Sequence, residues 1–287
     1  MDIKHNTTIP QEIKSLYYQK LDSLSMAYEL MDIETSFGKT NIVITGTMDR
    51  PPLVLLHGLN SCAPLAIEAL GELGSKFTIY AIDIIGQPNL SEKFLPKLKK
   101  DTYGQWIYEI LSRLNLWSAI LVGISLGGFI AWKTLTFDQR RISKAFLIMP
   151  AGIVKGRLSN IFFRLCIPLK MHEKWKHPAF LNYFLRRVYT TPSTFLKAFL
   201  PIVFANYEMF FWSIPLLNKG QASMIKTPIN IVAAQQDILF PGIPLLKRAC
   251  AVFPNLEQTL LLKNSRHVAG KSENKQIVQF IINNYKK

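Results

Sequence analysis

The 287-residue sequence predicts an α/β fold in which a mainly parallel sheet is flanked by helices and carries a helical insertion. Short apolar runs rich in β-branched residues recur along the chain, and helix-compatible segments lie between them. This alternation lapses between about residues 151 and 223, where aromatic and basic residues follow a helical spacing. With 49% hydrophobic and 18% charged residues, the composition is globular and excludes a disordered chain.

Seven apolar runs are predicted to be strands. Most of those from Pro52 onward are continuously apolar, as expected for parallel strands that helices cover on both faces. The predicted strands are Thr40–Gly46, Pro52–Gly58, Phe77–Asp83, Ala119–Ser125, Ala145–Pro150, Ile229–Gln235 and Glu257–Lys263.

Helices are predicted between these strands. One begins at Thr102 and carries an apolar face, and the side chain of Asp101 is expected to cap it. Further helices are predicted at 127–137, 243–252 and 272–285. The predicted organisation is a leader at 1–26, an α/β core at 27–150 and 223–287, and a helical cap at 151–222.

The cap region is basic and aromatic. Between Ala151 and Lys226 there are eleven Lys and Arg against two Glu, and 14 of the 33 aromatic residues of the chain. Such a segment could contact nucleic acid, an anionic membrane surface or a negatively charged substrate. No nucleic-acid-binding motif accompanies the charge, so no nucleic acid partner is expected. A solvated face on an apolar helical lid is the plainer interpretation, and peripheral contact with an anionic membrane is the alternative kept.

The remaining bulk features favour a soluble, cytoplasmic protein. The N-terminal residues have no apolar signal region, and no stretch of 18 residues is convincingly apolar. Cys62, Cys166 and Cys250 are far apart and odd in number. We therefore expect reduced thiols, with neither a disulfide framework nor a metal site.

A serine stands between glycines in LVGISLGGFIAW, residues 121–132. The uncharged run around it could suggest a membrane span, but its glycines and polar residues argue against one. A buried strand that turns sharply into a helix near Leu126 fits better, with Ser125 at the apex of the turn. A serine held in this way becomes a nucleophile when a base removes its proton, and the N–H of Leu126 is available to stabilise the resulting oxyanion.

The segment LLHGLN, residues 55–60, follows another apolar strand. A His-Gly pair there lets the backbone turn the N–H of Leu59 towards the serine, which would complete an oxyanion hole with two donors. His57 could itself be the general base, but a structural role in shaping this loop is the preferred interpretation.

An orienting acid and then a base are expected after the serine in the chain. Among the five histidines, His267 follows the last predicted strand, and Asp237 ends the strand before it. Both residues fall at carboxyl ends of parallel strands, where folds of this class place their sites. Ser125, Asp237 and His267 are therefore the predicted nucleophile, acid and base.

Six segments of the chain together resemble a known family: ETSFGKTNIVITG, PPLVLLHGLNS, AIDIIGQPNLS, LVGISLGGFIAW, AAQQDILFP and NSRHVAG. Over nearly its whole length the chain is similar to cap-bearing α/β-hydrolases, such as bacterial carboxylesterases and related lipolytic or C–C bond hydrolases. The resemblance implies the same three roles for Ser125, Asp237 and His267. It also implies that the backbone N–H groups of Leu59 and Leu126 form the oxyanion hole.

Three positions near these motifs call for comment. Asp83 matches a loop motif of the family and is interpreted as structural. Arg266 stands where the family usually has glycine, and its guanidinium is expected to favour the neutral form of the neighbouring imidazole or to meet an anionic group of the substrate. Pro88 replaces another common glycine and is expected to stiffen the rim of the pocket.

The predicted activity is hydrolysis of a small-molecule carboxylic ester with a lipophilic acyl group, without a cofactor or metal ion. C–C bond or thioester hydrolysis on the same three residues is one alternative. A non-catalytic binding or peripheral membrane protein of the same fold is another. The cap residues predicted to contact the substrate are Phe162, Phe195, Phe199, Phe211 and Trp212.

Overall fold

The computed structural model describes residues 9–207 and 214–286. Within these ranges the strands are β1 (Tyr28–Thr35), β2 (Gly38–Thr45), β3 (Pro52–Leu56), β4 (Thr78–Ile82), β5 (Ala119–Ile124), β6 (Ile142–Ile148), β7 (Ile229–Ala234) and β8 (Leu256–Leu262). They form one sheet in the order β1-β2-β4-β3-β5-β6-β7-β8. Strands β3 to β8 pair in parallel, whereas β1 with β2 and β2 with β4 pair antiparallel. The predicted mainly parallel sheet is therefore confirmed.

The described helices are α1 (Gln11–Asp22), α2 (Ala63–Leu70), α3 (Thr102–Arg113), α4 (Leu126–Phe137), α5 (Leu158–Ile161), α6 (Ile167–Trp175), α7 (Pro178–Val188), α8 (Thr194–Asn206), α9 (Lys219–Met224), α10 (Gly242–Val252) and α11 (Lys271–Asn284). A 3-10 turn, Gly71–Ser75, follows α2, and a π-helical turn, Phe162–Cys166, joins α5 to α6. Helix α4 is buried nearly throughout because it packs against the central strands β3, β5 and β6. No helix in the described ranges is long and apolar enough to span a bilayer.

Two elements near the N-terminus were not predicted from the sequence. Helix α1 packs on the core through Ile13, Tyr17 and Leu21, whose side chains are buried one helical turn apart. Strand β1 forms the edge of the sheet, and most of its residues are exposed. The segment that looked like a leader therefore contributes to the folded core.

The prediction that the Asp101 side chain caps helix α3 is wrong. Helix α3 begins at Thr102, but the Asp101 side chain makes no capping hydrogen bond. Its carboxylate instead forms an ion pair with Lys133 of α4, whose side chain is almost fully buried. A buried ammonium group needs a counter-charge, and this requirement outweighs the hydrogen bond that the carboxylate could accept from the helix N-terminus.

The segment between β6 and β7 contains α5 to α9 and no strand among its described residues. Helix α6 packs against α7, and α8 contacts both α6 and the N-terminal helix α1. Lys20 of α1 pairs with Glu68 of α2, and its ammonium group lies 5.1 Å from the ring centroid of Phe195 on α8. We call this helical segment the cap, and its domain boundaries at 151 and 222 stay a prediction.

Candidate active site

The turn between β5 and α4 holds Ser125 in a left-handed conformation, with φ of 54°. A non-glycine residue pays for such a backbone, and the surrounding structure must hold it there. Three backbone hydrogen bonds do so: the Ser125 N–H donates to the carbonyl of Ile148, and its own carbonyl accepts from Phe129 and Ala151. The serine is consequently held at the carboxyl end of the central strand.

The glycines of this turn allow its backbone to approach its neighbours closely. A Cβ at Gly123 would overlap the backbone of Gly127. A Cβ at Gly127 would overlap the carbonyl groups of Leu56 and His57, to the second of which the Gly127 N–H donates at 3.0 Å. Small residues are therefore needed here because the turn and the β3–α2 loop are in backbone contact.

The three predicted side chains form one continuous hydrogen-bonded chain. His267 Nδ1 lies 2.7 Å from Asp237 Oδ2, and His267 Nε2 lies 2.9 Å from Ser125 Oγ. Because the carboxylate can only accept, Nδ1 carries the hydrogen and Nε2 is left to accept from the serine hydroxyl. All three residues are buried, and Asp237 Oδ1 also accepts the N–H groups of Leu239 and Phe240 at 2.8 and 3.0 Å.

His57 has the structural role expected for it. Its Nε2 accepts the N–H of Ile84 at 3.0 Å, so Nδ1 carries the hydrogen and donates to the carbonyl of Gly58 at 2.8 Å. The ring is completely enclosed, and burial lowers its pKa from 6.5 to about 4. The neutral imidazole thus ties the β3–α2 loop to the loop that follows β4.

Asp83 joins the same two loops from below. Its Oδ1 accepts the N–H of Ala63 at 2.8 Å, and its Oδ2 accepts from the Asn41 amide at 2.8 Å. Tyr17 of α1 in turn accepts from Asn41 at 3.1 Å. Burial raises the pKa of Asp83 to about 6, although the groups that donate to its carboxylate lower it. The interpretation of Asp83 as structural agrees with these contacts.

The predicted oxyanion hole depends on two backbone N–H groups. Those of Leu59 and Leu126 make no hydrogen bond to any residue in the described ranges, and both residues border the cavity beside Ser125. An unpaired N–H is expected in the first turn of α4. A Cβ built on Gly58 would lie 3.6 Å from the Cβ of Ser125, so the two loops run close together at this point.

Gln87 holds the residue next to Leu59 in place, and it was not identified in the sequence analysis. Its Oε1 accepts the N–H of Asn60 at 2.8 Å, and Asn60 itself has a φ of 54°. Asn89 lies beside it, with its amide 3.2 Å from His57 Nε2 and donating to the carbonyl of Ile84. These buried amides hold the β3–α2 loop in shape. They lie about 30 positions from that loop in the chain, so the spacing of residues in the sequence does not reveal the contact.

A cavity of about 710 Å³ opens from Ser125 and His267. This volume is in the range of sites that enclose drug-sized ligands. The core side of its wall includes Leu65, Leu126 and Ile277, and polar residues such as Lys271 and Asn274 lie at one part of the lining. The cap contributes an apolar roof formed by Leu165, Phe184, Val188, Leu196, Leu200, Phe204 and Ile214.

The predicted substrate contacts need correction. Phe162, Phe195 and Phe199 do not border this cavity, because Phe162 is exposed on the outside of the cap and Phe199 is buried in its core. Phe195 instead stacks on Phe199 at 5.4 Å. Phe211 and Trp212 lie outside the described residues. The direction of each side chain around a helix decides its role, and aromatic composition alone does not reveal that direction.

The cap is joined to the loop that carries His267. Tyr189 and Val268 form a parallel β-bridge, in which the N–H of Val268 donates to Val188 and the N–H of Thr190 donates to Val268, both at 2.9 Å. The residue after the histidine is thus hydrogen-bonded to the connection between α7 and α8.

Arg266 reinforces this junction and does not enter the cavity. Its backbone N–H donates to Thr190 Oγ1 at 2.9 Å, and its guanidinium donates to the carbonyl of Tyr189 at 3.3 Å. The expectation that Arg266 meets an anionic substrate group is therefore wrong, because its side chain binds the cap backbone at Tyr189 and does not border the cavity. Pro88 is buried beside Gln87 and does not border the cavity, so its predicted effect on the pocket rim is also wrong.

No three His, Cys, Asp or Glu side chains come together as metal ligands in the parts of the chain that the structure describes. The three cysteines are unpaired: Cys62 is buried, Cys166 is half-buried and Cys250 is exposed.

Comparison with known proteins supports this description of the fold. A family model described as "alpha/beta hydrolase fold" matches residues 51–184. An uncharacterized carboxylesterase, nap, from Bacillus subtilis is 24% identical over 96% of this chain and 96% of its own length. Carboxylesterase YbfK from the same organism is 33% identical, over 47% of this chain and 46% of its own.

A solved structure has the same overall architecture. The crystal structure of naproxen esterase (carboxylesterase NP) from Bacillus subtilis superposes with a TM-score of 0.81, covering 97% of this chain and 99% of its own at 20% identity. At this identity the likeness concerns the fold, and the fold agrees with the one predicted from the sequence motifs.

Proposed function

We propose that this chain, which matches an α/β-hydrolase family model over residues 51–184 and is similar to bacterial carboxylesterases, hydrolyses carboxylic esters through Ser125, His267 and Asp237. The observation that carries the proposal is the pair of hydrogen bonds, 2.7 and 2.9 Å long, that links the three side chains. Such a chain ending on a serine beside a substrate-sized cavity is the arrangement that activates a hydroxyl for acyl transfer.

The first half of the reaction forms an acyl-enzyme. His267 Nε2 takes the hydroxyl proton as Ser125 Oγ attacks the ester carbonyl, and the carbonyl oxygen becomes an oxyanion. The tetrahedral intermediate then collapses, and the leaving alcohol receives the proton from Nε2. Asp237 holds the imidazole in the required tautomer and stabilises its cationic form while the proton is on it.

The second half repeats these steps with water. His267 removes a proton from the water that attacks the acyl-enzyme, and Ser125 recovers its proton as the carboxylic acid leaves. In both halves the N–H groups of Leu59 and Leu126 donate to the oxyanion. Removing one such donor typically costs 10²–10³ in rate, which corresponds to roughly 3–4 kcal/mol.

The cavity favours an ester with a lipophilic acyl group. Its roof is formed by apolar cap side chains such as Leu165, Phe184 and Leu200, which offer no charged partner. Burying an acyl chain there would gain about 0.8 kcal/mol for each CH₂ group. We therefore expect kcat/KM to increase with acyl length until the cavity of about 710 Å³ is filled.

Labelling with a fluorophosphonate tests the proposed nucleophile. We expect the wild-type protein to gain the mass of one adduct and the Ser125→Ala variant to gain none. Ser61→Ala is the matched control, because Ser61 borders the same cavity but has no histidine partner among the described residues, and this variant should label normally. A folded wild-type protein that gains no adduct would overturn the mechanism and leave a binding protein as the alternative.

A panel of p-nitrophenyl esters and an acyl thioester then tests the reaction itself. Ester cleavage that disappears in Ser125→Ala supports the proposal. Cleavage of the thioester with no ester activity would replace ester hydrolysis by the thioester alternative while keeping the same three residues.

A further inference from the structure

The cap segment carries an unusual concentration of positive charge. Between Lys155 and Lys197 there are nine Lys and Arg and one acidic residue, Glu173, a net charge of +8 in 43 residues. The whole chain has a net charge of +15, so about half of it is in this segment. Among described residues, only Lys170 of these nine cations has an ion-pair partner, Glu173 at 3.2 Å.

Apolar side chains project from the same helices into solvent. Leu158 is 67% exposed, Phe162 53% and Phe163 63%. Position 158 is about one helical turn before the adjacent positions 162 and 163, in the segment from α5 through the π-helical turn. The two phenylalanine rings also contact each other edge to face, with centroids 5.3 Å apart. Exposed apolar groups clustered in this way indicate a contact surface.

Aromatic residues with a polar edge lie on the two helices that follow. Trp175, at the end of α6, is 54% exposed, with the ammonium group of Lys174 5.5 Å from its ring centroid. Tyr183 on α7 is also exposed, with the guanidinium of Arg187 4.9 Å from its ring centroid. Trp and Tyr beside Lys and Arg are the side chains that settle at a membrane–water interface.

The inner side of the π-helical turn and of α7 forms part of the roof of the cavity. Leu165, in the π-helical turn, is fully buried and borders the cavity, whereas its neighbours Phe162, Phe163 and Arg164 are exposed. On α7, Phe184 borders the cavity and Arg186 faces solvent. A surface in contact with this face would therefore be one helix away from the candidate active site.

We propose that this face, formed by α5, the π-helical turn, α6 and α7, docks the protein onto an anionic phospholipid bilayer. The occupant is indicated by the combination of unpaired cations with protruding Leu, Phe and Trp side chains. Anionic headgroups would neutralise the cations, and the apolar tips would enter the boundary between headgroups and acyl chains. The inference concerns binding alone, so it does not depend on the chemistry proposed for Ser125.

Vesicle flotation tests this surface. The Ser125→Ala protein is mixed with vesicles of phosphatidylcholine alone, or of phosphatidylcholine with about 30% phosphatidylglycerol, so that no lipid is hydrolysed. We expect binding only to the anionic vesicles and its loss in about 1 M salt, because salt screens exposed charges. No preference for the anionic vesicles would overturn the proposal while leaving the proposed esterase activity intact.

Two pairs of substitutions on this face identify its contribution. Arg186→Gln with Arg187→Gln should weaken binding to anionic vesicles roughly 30-fold, since each cation near the surface contributes about 1 kcal/mol. Phe162→Ser with Phe163→Ser should weaken it roughly tenfold or more. All four side chains are exposed, so the variants should fold, and this is checked by their circular dichroism and melting temperatures.

Matched controls lie on the core. Lys247→Gln with Lys263→Gln removes the same charge from exposed positions outside the cap, and Ile243→Ser removes an apolar side chain that is 58% exposed. Each control should change binding less than twofold. Equal losses in the control and cap variants would overturn the proposal. So would a Phe162 and Phe163 variant that changes only the oligomeric state in light scattering and binds vesicles as before.

Discussion

Replacing Asp83 by asparagine should make the stability of this protein much more sensitive to acid. Burial raises the folded-state pKa of Asp83 from 3.8 to about 6. A group with a raised pKa contributes stability that is fully present below its unfolded value and is lost as the pH rises through the folded value. Asp83 therefore stabilises the protein increasingly as the pH falls from about 6 towards 3.8.

His57 has the opposite effect in the same network. Its pKa falls from 6.5 in the unfolded chain to about 4 in the folded protein, because the enclosed ring cannot be hydrated when it is charged. The stability it contributes is present above 6.5 and is lost as the pH falls through about 4. Between about pH 4 and 6 the two residues therefore act in opposite directions.

The size of each contribution follows from the pKa values. Each unit of pKa difference corresponds to about 1.36 kcal/mol, so the shift of the Asp83 pKa from 3.8 to about 6 changes the free energy of unfolding by about 3 kcal/mol in full. About 2 kcal/mol of this should appear between pH 7 and pH 4.5. His57 loses a similar amount over the same interval, so the wild-type contributions nearly cancel. The asparagine amide of the variant does not titrate, and the loss at His57 is then uncompensated.

Urea unfolding at pH 7 and pH 4.5 provides the assay. The free energy of unfolding of Asp83→Asn, relative to wild type, should fall by about 2 kcal/mol between these pH values. Any constant cost of an imperfect hydrogen bond at the substituted position cancels in this comparison. Asp49→Asn, an exposed position, should show no such fall. Wild type and Asp83→Asn differing by the same amount at both pH values would refute the reasoning.

Three further substitutions test the site geometry. Gly127→Ala places a Cβ against the backbone of Leu56 and should lower the free energy of unfolding by about 3 kcal/mol, or the melting temperature by roughly 5 °C. Gly58→Ala, whose Cβ would have its nearest neighbour 3.6 Å away, should melt near wild type. Equal melting temperatures of the two variants would contradict the close approach at Gly127. Thr190→Val removes the hydroxyl that accepts the N–H of Arg266, and it should lower kcat several-fold with KM nearly unchanged. Thr190→Ser keeps the hydroxyl and should have nearly the wild-type kcat. A change in KM alone would argue against a positioning role. Phe184→Leu should shift the preferred acyl length, because Phe184 borders the cavity. Phe199→Leu should change only stability, because Phe199 does not border it. The same shift in both variants would mean that the cavity wall is assigned wrongly.

How well a strand or helix could be predicted from the sequence depends on how fully its side chains are buried. Strands such as β5 and β7 are covered on both faces, and their continuous apolar runs are visible in the sequence. Strand β1 lies at the edge with most of its side chains exposed, so no such run marks it. Helix α1 does carry a signal, a buried stripe at positions 13, 17 and 21, but its polar remainder obscures it.

The candidate site likewise contains residues that could be predicted from the sequence and residues that could not. Ser125, Asp237 and His267 could be proposed because each follows a recognisable strand and the order along the chain limits the choice. Gln87 could not be, because it acts through a long-range hydrogen bond to the backbone of Asn60. The pocket residues of the cap could not be chosen either, since the sequence does not say which side of a short helix faces inward.

The bridge between Tyr189 and Val268 makes the cap a poor candidate for modular exchange. Exchanging caps between related hydrolases is an obvious route to new specificity. Here, however, a donor cap would also have to supply hydrogen-bond partners for Arg266 and Val268 on either side of His267, including the hydroxyl that Thr190 provides. A graft that ends between α7 and α8 would leave those groups unpaired. Engineering should therefore keep residues 188–190 with the core and exchange only the helices on either side of them.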